Sequence, residues 1–295
     1  MTAIIEVENL TKHYRGVTAV NDVSFALEGP GIHGLLGRNG AGKTTLMQLI
    51  SGQEFASSGT VKLFGEPPVE NVRVLSRTCF IKESQVYPDG FKAKHVLKAA
   101  PWFYPQWNHD LASQLIEDFR LPLDRVIKKL SRGQRSSLGA VIGIASRAEL
   151  TLLDEPYAGL DAVARHVFYD RLLADYSEHP RTILLSTHLI DEAADLLERV
   201  IVIDSGRILM NEYADDLRGS ATTLAGRASD IDSFAAGREV IDRSQLGGLA
   251  TITVLGLTSA DKTEARASGL ESTPVSLQQL IVRRTGATME KELAS

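Results

Sequence analysis

Three features of the 295-residue sequence predict an α/β fold. Short β-branched and apolar runs alternate with helical patterns over the first two-thirds of the chain. A glycine-rich loop sits between one such run and a helix. A later apolar run ends in two carboxylates. At roughly 100–200 residues per domain the length suggests about two domains. We assign residues 1–211 to an α/β core and residues 212–295 to a small C-terminal α+β extension.

The expected strands of the core are Ile4–Val7, Val23–Leu27, Ile32–Leu36, Val61–Phe64, Leu150–Asp154, Thr182–Ser186 and Val200–Asp204. Gly29-Pro30-Gly31 marks a turn between the second and third. Alternation of strands with helical patterns predicts a parallel or mixed sheet covered by helices. From about 84 to 147 the strand signals vanish. Leu111, Leu115, Ile116 and Phe119 fall at helical spacing, so this stretch reads as a helical insertion. After Asn211 the composition shifts toward Ala, Gly, Ser, Thr and Asp. There Leu249–Leu255 reads as a strand, and Ser276–Arg284 as a helix stopped at Gly286.

Composition narrows the function classes. Hydrophobic residues are 43% and charged residues 23%, which excludes disordered, collagen-like and coiled-coil chains. The net charge of −5 gives no bulk attraction for nucleic acid, so no nucleic-acid partner is expected. The single cysteine, Cys79, allows no intrachain disulfide and fits a reducing cytoplasm. The N-terminal residues lack the pattern of a signal peptide, and no window approaches 18 consecutive apolar residues.

The glycine-rich loop is Gly37-Arg38-Asn39-Gly40-Ala41-Gly42-Lys43-Thr44, followed by a helical run from Thr45. It fits Gly, any four, Gly-Lys-Ser/Thr, which chance places in about 1% of chains this long. The strand before it and the helix after it are the context this motif requires. The glycines let backbone N–H groups turn toward phosphate oxygens, and the helix N-terminus adds a positive dipole end. Lys43 is then expected to reach the β- and γ-phosphates, and Thr44 to bind Mg²⁺.

Leu150-Thr151-Leu152-Leu153-Asp154-Glu155 is the apolar run that ends in two acids. Alone it would read as a strand capped by solvated carboxylates. Beside a phosphate loop, Asp154 is a candidate Mg²⁺ ligand and Glu155 a candidate for polarising the attacking water.

The chain resembles the ATP-binding subunit of an ABC (ATP-binding cassette) transporter. Leu130-Ser131-Arg132-Gly133-Gln134 is similar to that family's signature, Leu-Ser-Gly-Gly-Gln, and lies between the phosphate loop and the acid pair. The fold implied is a P-loop NTPase core of ABC type with a helical insertion. By resemblance, Ser131, Gly133 and Gln134 meet a nucleotide, Tyr14 stacks on adenine, and His188 of Ser186-Thr187-His188 is the switch histidine at the γ-phosphate. Asp161 closes Ala158-Gly159-Leu160-Asp161, a loop that helps join two subunits. Ser131 also reads as an ordinary helix N-cap.

Two positions depart from the family pattern. Glu83, with Gln85 as a nearby alternative, stands where the family usually has Gln. We take Glu83 as a metal ligand. Arg132 replaces a glycine of the signature.

The resemblance further implies ATP and Mg²⁺, a second ATPase subunit facing the first head to tail (homo- or heterodimer), and a separate integral membrane permease. The place implied is the inner face of the cell membrane. Trp102, Phe103, Tyr104 and Trp107 fit either a permease contact or the core of a helical hairpin. Tyr104-Pro105-Gln106-Trp107 resembles bacterial antibiotic- and peptide-export ATPases. A soluble ABC-type ATPase of translation, repair or regulation is the alternative. The chain has room for one cassette only, however, and shows no coiled-coil or zinc insertion.

Overall fold

The computed structural model describes residues 3–83 and 85–284. These fall into two compact units, one of residues 3–188 and 196–211, the other of residues 189–195 and 212–284.

The first unit contains two sheets. β1 (Ala3–Tyr14) and β2 (Val17–Glu28) pair antiparallel, and β4 (Ser58–Leu63) joins the free edge of β1. Their alternating burial leaves one face on the core and one in water. Sequence patterning marked only the most apolar four or five residues of β1 and β2, because their remaining positions alternate with polar ones. It also expected one sheet. The structure separates these antiparallel strands from the nucleotide-site sheet.

That second sheet has the order β5-β6-β7-β3-β8-β9. Its strands are β3 (Gly31–Leu36), β5 (Thr78–Ile81), β6 (Leu150–Asp154), β7 (Thr182–Thr187), β8 (Arg199–Asp204) and β9 (Arg207–Tyr213). β3, β6 and β7 are buried at every residue, as continuous apolar runs covered on both faces should be. The pairs β5–β6, β6–β7, β7–β3 and β3–β8 are parallel. Register sets Asp154 beside Ser186 and Leu36 beside Thr187. The ends of β6, β7 and β3 therefore meet along one rim, where open α/β sheets bind ligands.

β3 runs into the loop before α1 (Lys43–Ile50). Leu46, Met47, Leu49 and Ile50 of α1 enter a core shared with Leu35, Leu152, Leu184 and Ile201. The remaining helices are α2 (Val72–Leu75), α3 (Ala93–Phe103), α4 (His109–Asp118), α5 (Arg132–Ala145) and α6 (Ala162–Glu178). α4 begins at the Asn108 cap and carries the helical spacing read at Leu111 and Leu115.

The second unit holds an antiparallel sheet of order β11-β12-β10-β13. Its strands are β10 (Ala221–Arg227), β11 (Val240–Leu246), β12 (Leu249–Leu255) and β13 (Glu271–Pro274). Leu224, Ile252 and Val254 pack with Ile231 and Phe234 of the helix Ala228–Ala235. The expected strand Leu249–Leu255 is β12. The expected C-terminal helix runs over 277–284, with a capping box between Ser276 and Gln279. Its expected stop, Gly286, lies outside the described residues, as does Ser84 at the start of the insertion.

Candidate functional site

The phosphate loop leaves the rim between β3 and α1. Gly42 takes a left-handed φ of 108°, and a Cβ there would sit 2.3 Å from the Ala19 carbonyl oxygen. Only glycine fits both the turn and that approach. Lys43 is buried and its ammonium donates back to the Gly37 and Arg38 carbonyls at 2.7 and 3.2 Å. Ala41 is buried, and its carbonyl accepts from the Gly206 amide at 3.0 Å, which props the loop from behind.

A cavity of about 500 Å³ opens over this loop. Asn39, Gly40, Gly42, Lys43, Thr44 and Thr45 line it, together with Glu83, Glu155 and the stretch Val17–Ala19. Gly37 and Ala41 form its backing and do not line it. The sequence reading did not single out Val17–Ala19. The turn between β1 and β2 brings this stretch to the pocket, which local patterning does not register.

Asp154 stands behind Thr44, which lines the cavity. The Thr44 hydroxyl donates to its Oδ2 and the Ser186 hydroxyl to its Oδ1, both at 2.7 Å. Asp154 is 2% exposed, and burial raises its pKa above the ordinary carboxylate value. A buried carboxylate beside a hydroxyl is a hard-oxygen donor set that gains from a divalent cation, so these residues fit Mg²⁺. Among the described residues no cluster of three or more His, Cys, Asp or Glu is placed to hold a metal.

Glu155 follows with a left-handed φ of 48°. Its Oε2 receives His188 Nδ1 at 2.8 Å and the Tyr157 hydroxyl at 2.7 Å. The carboxylate acceptor puts the imidazole proton on Nδ1. Glu155 Oε1 is buried, has no hydrogen-bond partner among the described residues, and lies 3.5 Å from Lys43 Nζ. Sequence reasoning missed Tyr157. A tyrosine two residues past the acid carries no pattern of its own.

The other expected residues lie outside this cavity. Tyr14 ends β1, 42% exposed, with Lys12 Nζ 4.9 Å from its ring centre. Ser131 is the N-cap of α5, in a capping box with Gln134. Gly133 packs so closely on the loop after the acid pair that a Cβ would lie 2.4 Å from the Gly159 carbonyl oxygen. Asp161 caps α6 by accepting from the Ala164 amide at 2.8 Å. Arg132 forms an ion pair with Glu83, so the two departures from the family pattern are partners. The Arg132 stem lies against Gly159.

Residues 20–158 match the family described as "ABC transporter". The chain is similar to the ABC transporter ATP-binding protein YtrB of Bacillus subtilis, 27% identical over 96% of this chain and 98% of that one. It is 32% identical to the Nod factor export ATP-binding protein I of Burkholderia lata, over 70% of this chain and 69% of that one. A solved ATP-binding subunit of an ABC transporter superposes with a TM-score of 0.64 at 24% identity, covering 72% of this chain and 91% of that one.

Proposed function

The chain belongs to the ABC transporter family as an ATP-binding ATPase subunit, and from that premise we propose that it powers a separate integral membrane permease, with export as the direction. The export-named relative supports the direction. Two exposed aromatics at the end of α3, Trp102 at 79% and Phe103 at 66%, support a permease contact rather than a hairpin core. Among the described residues no helix is long and apolar enough to cross a membrane; in this reading the permease supplies the pathway for cargo. The proposed place of work is the cytoplasmic face of that membrane.

One observation carries the hydrolytic reading. Glu155 Oε1 is buried, lacks a hydrogen-bond partner and faces the lysine that would hold the γ-phosphate. A carboxylate oxygen so placed can take a proton from water attacking that phosphorus. His188, on the same carboxylate, orients the pair. Lys43 exchanges its carbonyl partners for phosphate oxygens, and the loop amides hold the phosphate chain. Thr44, Asp154 and Glu83 would hold Mg²⁺, which would supply neutralisation of phosphate charge. Tyr14 is proposed as the adenine platform.

The second half-site comes from a second ATPase subunit. Ser131, Gly133 and Gln134 lie outside the chain's own cavity, at a helix start whose amides suit the γ-phosphate of a facing copy. A twofold dimer uses each surface twice. Asp161 and the loop before it complete that interface.

Glu155→Gln is the test. Turnover should fall about 10²–10⁴-fold, the range for general acid–base assistance. Nucleotide binding should persist, and ATP-bound dimers should accumulate in size-exclusion chromatography. Hydrolysis at the parent rate sinks the assignment.

A further inference from the structure

We propose that Tyr157 is a positioning residue for hydrolysis, its hydroxyl holding the Glu155 carboxylate so that one oxygen stays aimed at the phosphate cradle. The inference rests on the reading of Glu155 as general base.

Tyr157 is 2% exposed and sits in the turn after the acid pair. Its hydroxyl donates to Glu155 Oε2 at 2.7 Å. The phenol oxygen also meets the Thr187 hydroxyl and accepts from the His188 amide at 3.3 Å. One phenol therefore joins the residue that follows β6 to the end of β7. Burial raises the Tyr157 pKa, so the group remains a donor at neutral pH.

A glutamate has three torsions and would otherwise sample several carboxylate orientations. With two donors on Oε2, turning the carboxylate breaks both bonds. Oε1 is then left toward Lys43, without a hydrogen-bond partner. The two donors are not equivalent. The His188 side chain is 48% exposed and can swing. The Tyr157 ring is fixed against Tyr169 at 6.1 Å between centroids, and Tyr169 packs on the buried Phe168 at 5.3 Å. Tyr157 is the rigid reference and His188 the mobile one. Hydrolysis tolerates little misplacement of its base, and an error of about 1 Å costs on the order of 10²-fold.

The experiment is Tyr157→Phe in the full chain, alone and combined with Glu155→Gln. Phenylalanine keeps the ring and removes only the donor. Steady-state ATPase kinetics, fluorescent-nucleotide binding and thermal melting are measured on all forms. Expected are a kcat lowered about 10- to 100-fold, unchanged KM and nucleotide affinity, and parent-like melting. The double variant should hydrolyse no more slowly than Glu155→Gln alone, because the hydroxyl acts through that carboxylate.

A parent-like kcat in Tyr157→Phe beside a slow Glu155→Gln overturns this inference alone. So does an equal further loss in the Glu155→Gln background, or a kcat loss that comes with raised KM and lowered melting. A Glu155→Gln form that turns over at the parent rate removes the general-base reading and this inference with it.

Discussion

His33 lies in the middle of β3, the strand that delivers the chain to the phosphate loop, and it makes folding stability depend on pH. It is 5% exposed, and neither ring nitrogen has a hydrogen-bond partner among the described residues. Burial, with repulsion from Arg199, lowers its pKa from the ordinary 6.5 to about 4. In the folded protein it is therefore neutral down to about pH 4, whereas the unfolded chain takes up a proton near 6.5. Between these values the unfolded state binds more protons, so acid favours unfolding. The stabilisation is complete above pH 6.5, falls away as the pH drops below that value, and is fully lost once the pH is below about 4. At about 1.4 kcal/mol per pH unit the whole gap is worth about 3 kcal/mol, and about 2 kcal/mol of it is gone by about pH 5. The assay is urea unfolding of the parent and of His33→Leu at about pH 7.5 and 5. Comparing the acid-induced loss between the two proteins cancels the titrations they share. The loss should be smaller in His33→Leu by about 2 kcal/mol. An identical loss in both proteins would refute the argument.

Two further predictions concern the surfaces around the nucleotide. Gly133→Ala places a methyl against the Gly159 carbonyl, so the start of α5 or the facing loop must shift. ATP-dependent dimerisation, read by light scattering, should weaken while nucleotide binding by each subunit stays at the parent value. Arg132→Gly leaves the Glu83 carboxylate unpaired at the cavity edge. Nucleotide affinity without Mg²⁺ should then fall about twofold to fivefold, the scale of an exposed ion pair. Excess Mg²⁺, or the added change Glu83→Gln, should restore it. A loss indifferent to both would exclude Glu83 as a metal-facing group.

What was legible in the sequence follows a physical rule. The run Ile32–Leu36 was readable because a strand covered on both faces is mostly apolar, and Ile32, Leu35 and Leu36 carry that signal despite His33. The phosphate loop was readable because its backbone needs glycine at fixed spacing and its chemistry needs Lys43 and Thr44. β5 and β9 were not readable. Each is short or half-polar, and each is a strand only because a neighbour supplies a ladder. In the second unit β12 was legible from its own apolar run. β11, exposed along nearly all its length, was not. The site divides in the same way. Asp154 and Glu155 stand out as acids ending an apolar strand. Ser186 and Tyr157, which bond to them, are set by contacts across 32 and 2 residues that no local pattern encodes.

The two departures from the family pattern extend this point. Read singly, a carboxylate at Glu83 adds repulsion next to phosphate, and an arginine at Arg132 adds an unexplained charge to the signature. They are 49 residues apart in sequence, yet one charge answers the other. Arg132 also rests its stem on Gly159, so the pair joins the cavity edge to the α5 start and to the loop after the acid pair. An exposed pair contributes little to stability by itself. Its consequence is electrostatic. Beside a bound phosphate chain the Glu83 carboxylate would need a positive partner, and the two candidates are Arg132 and a metal ion brought with the nucleotide. If the metal were to take the carboxylate, the Arg132 guanidinium would be freed at the start of α5, the surface proposed to receive the second subunit's phosphate. One subunit's nucleotide occupancy would then be linked to the charge it presents to its partner.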